Sequence, residues 1–91
     1  EIGRNQRSRL RELALLEALE AEHHALPLQQ ILRALSAAGF DDTSAAVVSQ
    51  LHRLKKLGVI AQPANGMYAL TPDGVLHVRD LRKNFAHLAR R

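Results

Sequence analysis

Six polar side chains crowd the eight residues "SQLHRLKK": Ser49, Gln50, His52, Arg53, Lys55 and Lys56. Their chemistry is recognition rather than bond-making. Gln50 can pair with an adenine edge, Arg53 can reach guanine or a phosphate, and Ser49 can touch a base or the backbone. Lys55 and Lys56 are placed to neutralise phosphate, and His52 joins the same face. Thr43 and Ser44 lie just upstream, where hydroxyls and the free N–H groups of a helix start can meet a phosphate. The competing reading is a solvated helix face with no partner.

Other chemistry finds little footing. The chain has no Cys, which removes disulfides, thiolate ligands and Cys nucleophiles. Its five histidines do not form a ligand set by spacing: His23 and His24 are adjacent and diverge, and His77 and His87 are ten apart, out of register on a helix. No metal or other cofactor is expected. No phosphate-binding glycine loop, nucleophile motif or paired carboxylate in an apolar setting is present, so catalysis is not expected either. Asp41-Asp42 reads as turn and cap chemistry.

Charge is unevenly spread along the 91 residues. Residues 1–42 carry five arginines against seven acids, and residues 43–91 carry eight cations against two acids. A basic half beside a mildly acidic one suits a polyanionic partner. Aromatics are only Phe40, Tyr68 and Phe85, so the core must be mainly Leu, Ile, Val and Ala. No apolar run approaches the ~18 residues of a membrane span, and no signal-peptide core precedes the first helix. The chain begins at Glu1 rather than Met, as a piece of a longer protein would.

The elements that must position these groups follow from periodicity. Leu10, Leu13, Leu15, Leu16 and Leu19 give a helix over 5–22 with a broad apolar face. Leu28, Ile31, Leu32 and Leu35 follow i, i+3, i+4, i+7 and predict a helix over 27–38, with Pro27 in its first turn and Gly39 closing it. The third helix is predicted over 43–57, capped by Thr43 or Asp42 and stopped by Gly58. Val47, Leu51 and Leu54 face inward, and Ser49, Gln50, Arg53 and Lys56 are assigned to the outward face. Ala64-Asn65-Gly66 between two apolar runs predicts a two-stranded hairpin within 59–70, with Pro63 confining one arm to an edge or bulge. Thr71-Pro72-Asp73 starts a last helix over 72–89. Its Val78, Leu81, Phe85 and Leu88 make a short heptad-like seam.

A helix joined by a tight turn to the helix before it is a DNA-reading arrangement, and a hairpin directly after makes the winged variant. The stretch from "RLRELALLEALEAEHHALPLQQILRAL" through "TSAAVVSQLHRLKKLGVI" to "GMYALTPDG" resembles winged helix-turn-helix transcriptional regulators. Its first 60 residues are similar to the DNA-binding half of ferric-uptake-type repressors. The wing resembles multidrug-resistance-type and phenolic-acid-type repressors, which dimerise through terminal helices. The Cys-bearing metal domain of the ferric-uptake type has no counterpart here.

The expectation is therefore a mainly α chain with a small β-hairpin, a winged helix-turn-helix of three-helix core, two-stranded wing and C-terminal helix. The expected function is sequence-specific binding of double-stranded DNA by a transcriptional repressor, with helix 43–57 in the major groove. The expected setting is a cytoplasmic, nucleoid-associated homodimer built from the terminal helices, without a membrane partner. At the wing tip only Asn65 offers a phosphate contact, because Ala64-Asn65-Gly66 holds no cation. Arg4, Arg7 and Arg9 read as a solvated helix start in preference to a minor-groove arm. The alternative is a winged-helix protein-interaction module of an assembly or replication factor, meeting an acidic partner without base reading.

Overall fold

A computed structural model describes residues 4–22 and 24–89, and the side chains of 7–22 and 24–85. The order is α1 (Arg4–Ala21), β1 (Leu26–Pro27), α2 (Leu28–Ala37), α3 (Ser44–Lys56), β2 (Ile60–Ala64), β3 (Met67–Leu70) and α4 (Pro72–Ala89). The chain is mainly helical, and every helix end falls within one residue of its predicted place. No described helix is long and apolar enough to cross a membrane.

Burial explains the arrangement. α1 packs against α2, α4 and β3, so its broad leucine face is covered from several sides. Leu15, Leu16 and Leu19 of α1 meet Ile31 and Leu35 of α2 in the core. Val47, Leu51 and Leu54 of α3 and Val78 and Leu81 of α4 join them. Burying each such side chain contributes about 1.5–3 kcal/mol, which sets how deeply each helix sits in the core.

The ends of α3 are chemically set. Thr43 is its N-cap, and its hydroxyl accepts from Ala46 N–H at 3.2 Å. At the other end Gly58 takes φ +82°, a region an L side chain rarely enters. Gly58 N–H donates to the Lys55 carbonyl and Val59 N–H to the Leu54 carbonyl, the pair of bonds of a Schellman closure. Val59 is thereby folded back onto the core, and β2 begins at once.

The sheet departs from expectation. It has three antiparallel strands in the order β1-β3-β2, not two. Leu26 pairs with Tyr68 and Pro27 with Met67, and Leu28 N–H donates to the Gly66 carbonyl. Pro27 is thus an edge-strand residue and the extended cap before α2, one residue ahead of the helix. β2 runs through Pro63, with a register irregularity between Ala61 and Ala64. A proline cannot donate to a ladder, and both prolines sit on edge strands. The Asn65-Gly66 turn puts only Gly66 at positive φ, so it is not the mirror-image turn that Asn-Gly most often forms.

The seam on α4 is also reassigned. Val78 and Leu81 are buried in the chain's own core, and Phe85 packs partly against it. These residues close the fold on itself and are not an open dimer face; the side chain of Leu88 lies outside those described. Arg82 reinforces the closure, pairing with Glu17 at 2.9 Å and with Glu20 on α1.

Thr71 joins hairpin, α3 and α4 at one point. Its hydroxyl donates to the Gly58 carbonyl at 2.7 Å and accepts from Gly74 N–H at 3.0 Å. The approach leaves no room at Gly74: a Cβ there would overlap the Val59 carbonyl oxygen and sit 2.7 Å from Leu70 Cδ1. We expect Gly74→Ala to destabilise the fold by about 1–3 kcal/mol, the range of overpacking substitutions, read as a lower urea midpoint at unchanged m-value. A midpoint equal to the parent's contradicts this packing.

Candidate nucleic-acid interface

The outward surface of α3 follows from what its inward stripe uses. Val47, Gln50, Leu51 and Leu54 recur at i, i+3, i+4, i+7 and all four are buried. The opposite ridge is Ala45, Ser49, His52 and Lys56, spaced 4, 3 and 4, and all are exposed. Arg53 flanks this ridge on one side and Lys55 on the other, both exposed.

Gln50 is the correction. It was assigned to the outward face, yet it is only 4% exposed. Its Oε1 accepts from Arg11 Nε at 2.7 Å, and its Nε2 donates to the Ser8 carbonyl at 3.2 Å. A buried amide must have such partners. Here they lie on α1, so Gln50 ties α3 to α1 and does not face a base.

The remaining candidates lie where helix geometry puts them. Thr43 and Ser44 are exposed at the first turn, although the Thr43 hydroxyl already serves as a cap. Lys55 Nζ donates to Gln62 Oε1 of β2 at 3.1 Å, so it also braces the hairpin. Asn65 is exposed in the turn between β2 and β3. Ser49, His52 and Lys56 have no side-chain hydrogen bond within the chain, among the described residues.

Three residues behind this face of α3 were not anticipated: Arg11, Glu12 and His77. Arg11 donates from Nη1 to Asp42 Oδ2 at 2.7 Å while its Nε holds Gln50. Arg7 Nη2 donates to Asp42 Oδ1 at 3.2 Å, with its guanidinium carbon 5.3 Å from the Phe40 ring centroid. Arg7 is therefore engaged with its own fold, whereas Arg9 is exposed and the Arg4 side chain lies outside those described. Glu12 accepts from His77 Nε2 at 2.8 Å and from Arg53 Nη2 at 3.4 Å. A periodic signal for all three exists. Ser8, Arg11, Glu12, Leu15 and Leu19 fall on one face of α1, and His77 stands one position before Val78 on the inward side of α4.

Electrostatics agree with the geometry at Asp42. The hydrogen bond from Arg11, aided by the charges of Arg11 and Arg7, holds its carboxyl below the ordinary value against the opposing effect of desolvation. The carboxylate sits immediately before the Thr43 cap, so it fixes the turn that leads into α3. Among the described residues, no three His, Asp or Glu side chains converge as metal ligands would. The sequence matches no family model, and a search of curated proteins returned no match.

Asp42 gives a pH prediction with a definite sign. Its folded-state pKa lies below the ordinary 3.8. Its contribution is therefore full above that unfolded value and is lost as pH falls through the folded one. Asp42→Asn should lower the urea midpoint at pH 7 and narrow the gap to the parent at pH 2.5. A constant gap across that range contradicts the Arg11–Asp42 assignment.

Proposed function

We propose that this chain is a winged helix-turn-helix module that binds double-stranded DNA sequence-specifically and acts as a transcriptional repressor. α2 and α3 form the helix-turn-helix, and β2 and β3 form the wing, with β1 pinning β3 to the start of α2. The observation that carries the reading is the bare polar ridge Ser49, His52 and Lys56, flanked by Arg53 and Lys55, on a helix whose other side is sealed. An α-helix fits the major groove, where a hydroxyl and an imidazole can address base edges and ammonium groups can meet phosphates. Thr43 and Ser44 are placed to approach the backbone at the helix start. The role first assigned to Gln50 passes to Ser49 and His52.

Two copies would be needed for tight binding, since dimers read two half-sites about one helical turn apart. With Val78 and Leu81 enclosed, a dimer through α1 and α4 has to use exposed groups such as Leu76, which is 57% exposed. A second reading rests on Leu57, 63% exposed beside the same basic helix end, and on the uncharged hairpin tip. An acidic, apolar protein partner would suit both features.

Titration of a labelled random duplex at two salt concentrations, followed by selection of bound sequences, separates the two readings. A repressor module binds with a steep salt dependence and enriches a motif. Lys56→Ala should weaken all sequences alike and reduce the salt slope by about one. His52→Ala should cost ~1–3 kcal/mol at one base position and relax selection there. Salt-insensitive or absent binding would favour the protein-interaction reading.

A further inference from the structure

Among the described residues, Arg53 is the one cation flanking the exposed ridge of α3 that is paired with an acid, and that acid is unusual. Glu12 is 9% exposed, yet it is shared by two donors from different helices, Arg53 of α3 and His77 of α4. The three line an open cleft of about 590 Å³ between α1, α3 and α4, together with Arg9, Leu57 and Leu81.

An ionised carboxylate only accepts, so the neutral His77 ring must carry its proton on Nε2 toward Glu12 and leave Nδ1 as the free acceptor. Histidine is the side chain whose charge ordinarily changes between pH 5 and 8. A proton taken up at Nδ1 makes His77 a full counter-ion to Glu12. Glu12 then faces two cations with one charge. The groups facing His77 from other helices are Glu12 and Arg9 on α1 and Arg53 on α3. On α4 itself Asp73 and Asp80 lie one turn to either side.

We infer that Glu12 is a tether that withholds Arg53 from an anionic partner and that protonation of His77 releases it. Arg53 sits on Oε1 and His77 on Oε2, so the added charge on His77 acts by repulsion and loosens the weaker of the two contacts. The Arg53 contact is the longer, 3.4 Å against 2.8 Å, and its side chain is the more exposed, 57% against 33%. A half-exposed pair of this kind is weak enough to be exchanged. Released, Arg53 turns toward the ridge of Ser49, His52 and Lys56, and phosphate affinity rises as pH falls. The tether is a property of the free chain; only its consequence for DNA rests on the proposed function.

The test has two arms. In the free protein, the side-chain NMR signals of Arg53 and of the His77 ring are followed from pH 8.5 to 5.5. The Arg53 signal should move with the His77 midpoint, and in His77→Gln, which keeps a neutral donor to Glu12, it should stay still. An Arg53 signal that ignores the His77 titration overturns the inference. In the second arm, duplex affinity is measured in a His52→Gln background, which removes the other imidazole on the ridge. Affinity should tighten by about two- to fivefold at low pH, the range an exposed ion pair spans. Adding His77→Gln should abolish that gain, and Glu12→Gln should give the tighter value at all pH. If Glu12→Gln fails to fold, the His77→Gln comparison decides alone: a gain that survives it overturns the release. Coupled NMR signals with no duplex binding by the parent chain at either pH would uphold the tether and sink the DNA-binding reading.

Discussion

The fork of Arg11 is the interaction on which the placement of α3 depends. One guanidinium holds the Asp42 carboxylate before the helix and the Gln50 amide in its middle. Two points on one rod, fixed from one side chain of a neighbouring helix, define its rotation as well as its position. The leucines alone would not do so, because a stripe of Val47, Leu51 and Leu54 tolerates some roll against an apolar surface. A part-buried guanidinium does not tolerate loss of a partner, since an unpaired charge away from water is expensive. The polar ridge therefore points outward with a definite azimuth.

The same device recurs on three helices. Each inward stripe carries polar members: Arg11 and Glu12 on α1, Gln50 on α3, His77 on α4. Among the described residues they pair only with one another, with Asp42, with Arg53 or with the Ser8 carbonyl. No buried side-chain nitrogen or oxygen among the described residues is left without a partner. Interiors built this way specify which helix faces which, where an all-leucine core would accept alternatives.

Much of the fold was legible because its local chemistry is unambiguous. Thr43 and Thr71 cap helices as their type suggests, Gly58 closes α3, and apolar spacings with these caps locate the four helices. Gln50 was misread for a physical reason. Its i+3 spacing from Val47 places it inward, but its polarity argues outward, and a single sequence does not show that Arg11 and the Ser8 carbonyl wait to satisfy it. Pairing across 39 residues leaves no local signal. β1 was missed on similar grounds. Two residues of strand have no period, and although Pro27 biases Leu26 toward extended backbone, their pairing with β3 leaves no local signal.

These constraints bear on the site itself. Three of the candidate contacts also serve the fold: Thr43 caps its own helix, Lys55 braces β2 and Arg53 holds Glu12. Ser49, His52 and Lys56 serve none of these needs. The helix backbone under the ridge is pre-organised, whereas its side chains keep rotamer freedom that a partner would have to restrict. On the proposed reading, that division leaves the outward groups of α3 available to a partner while the inward ones hold the fold.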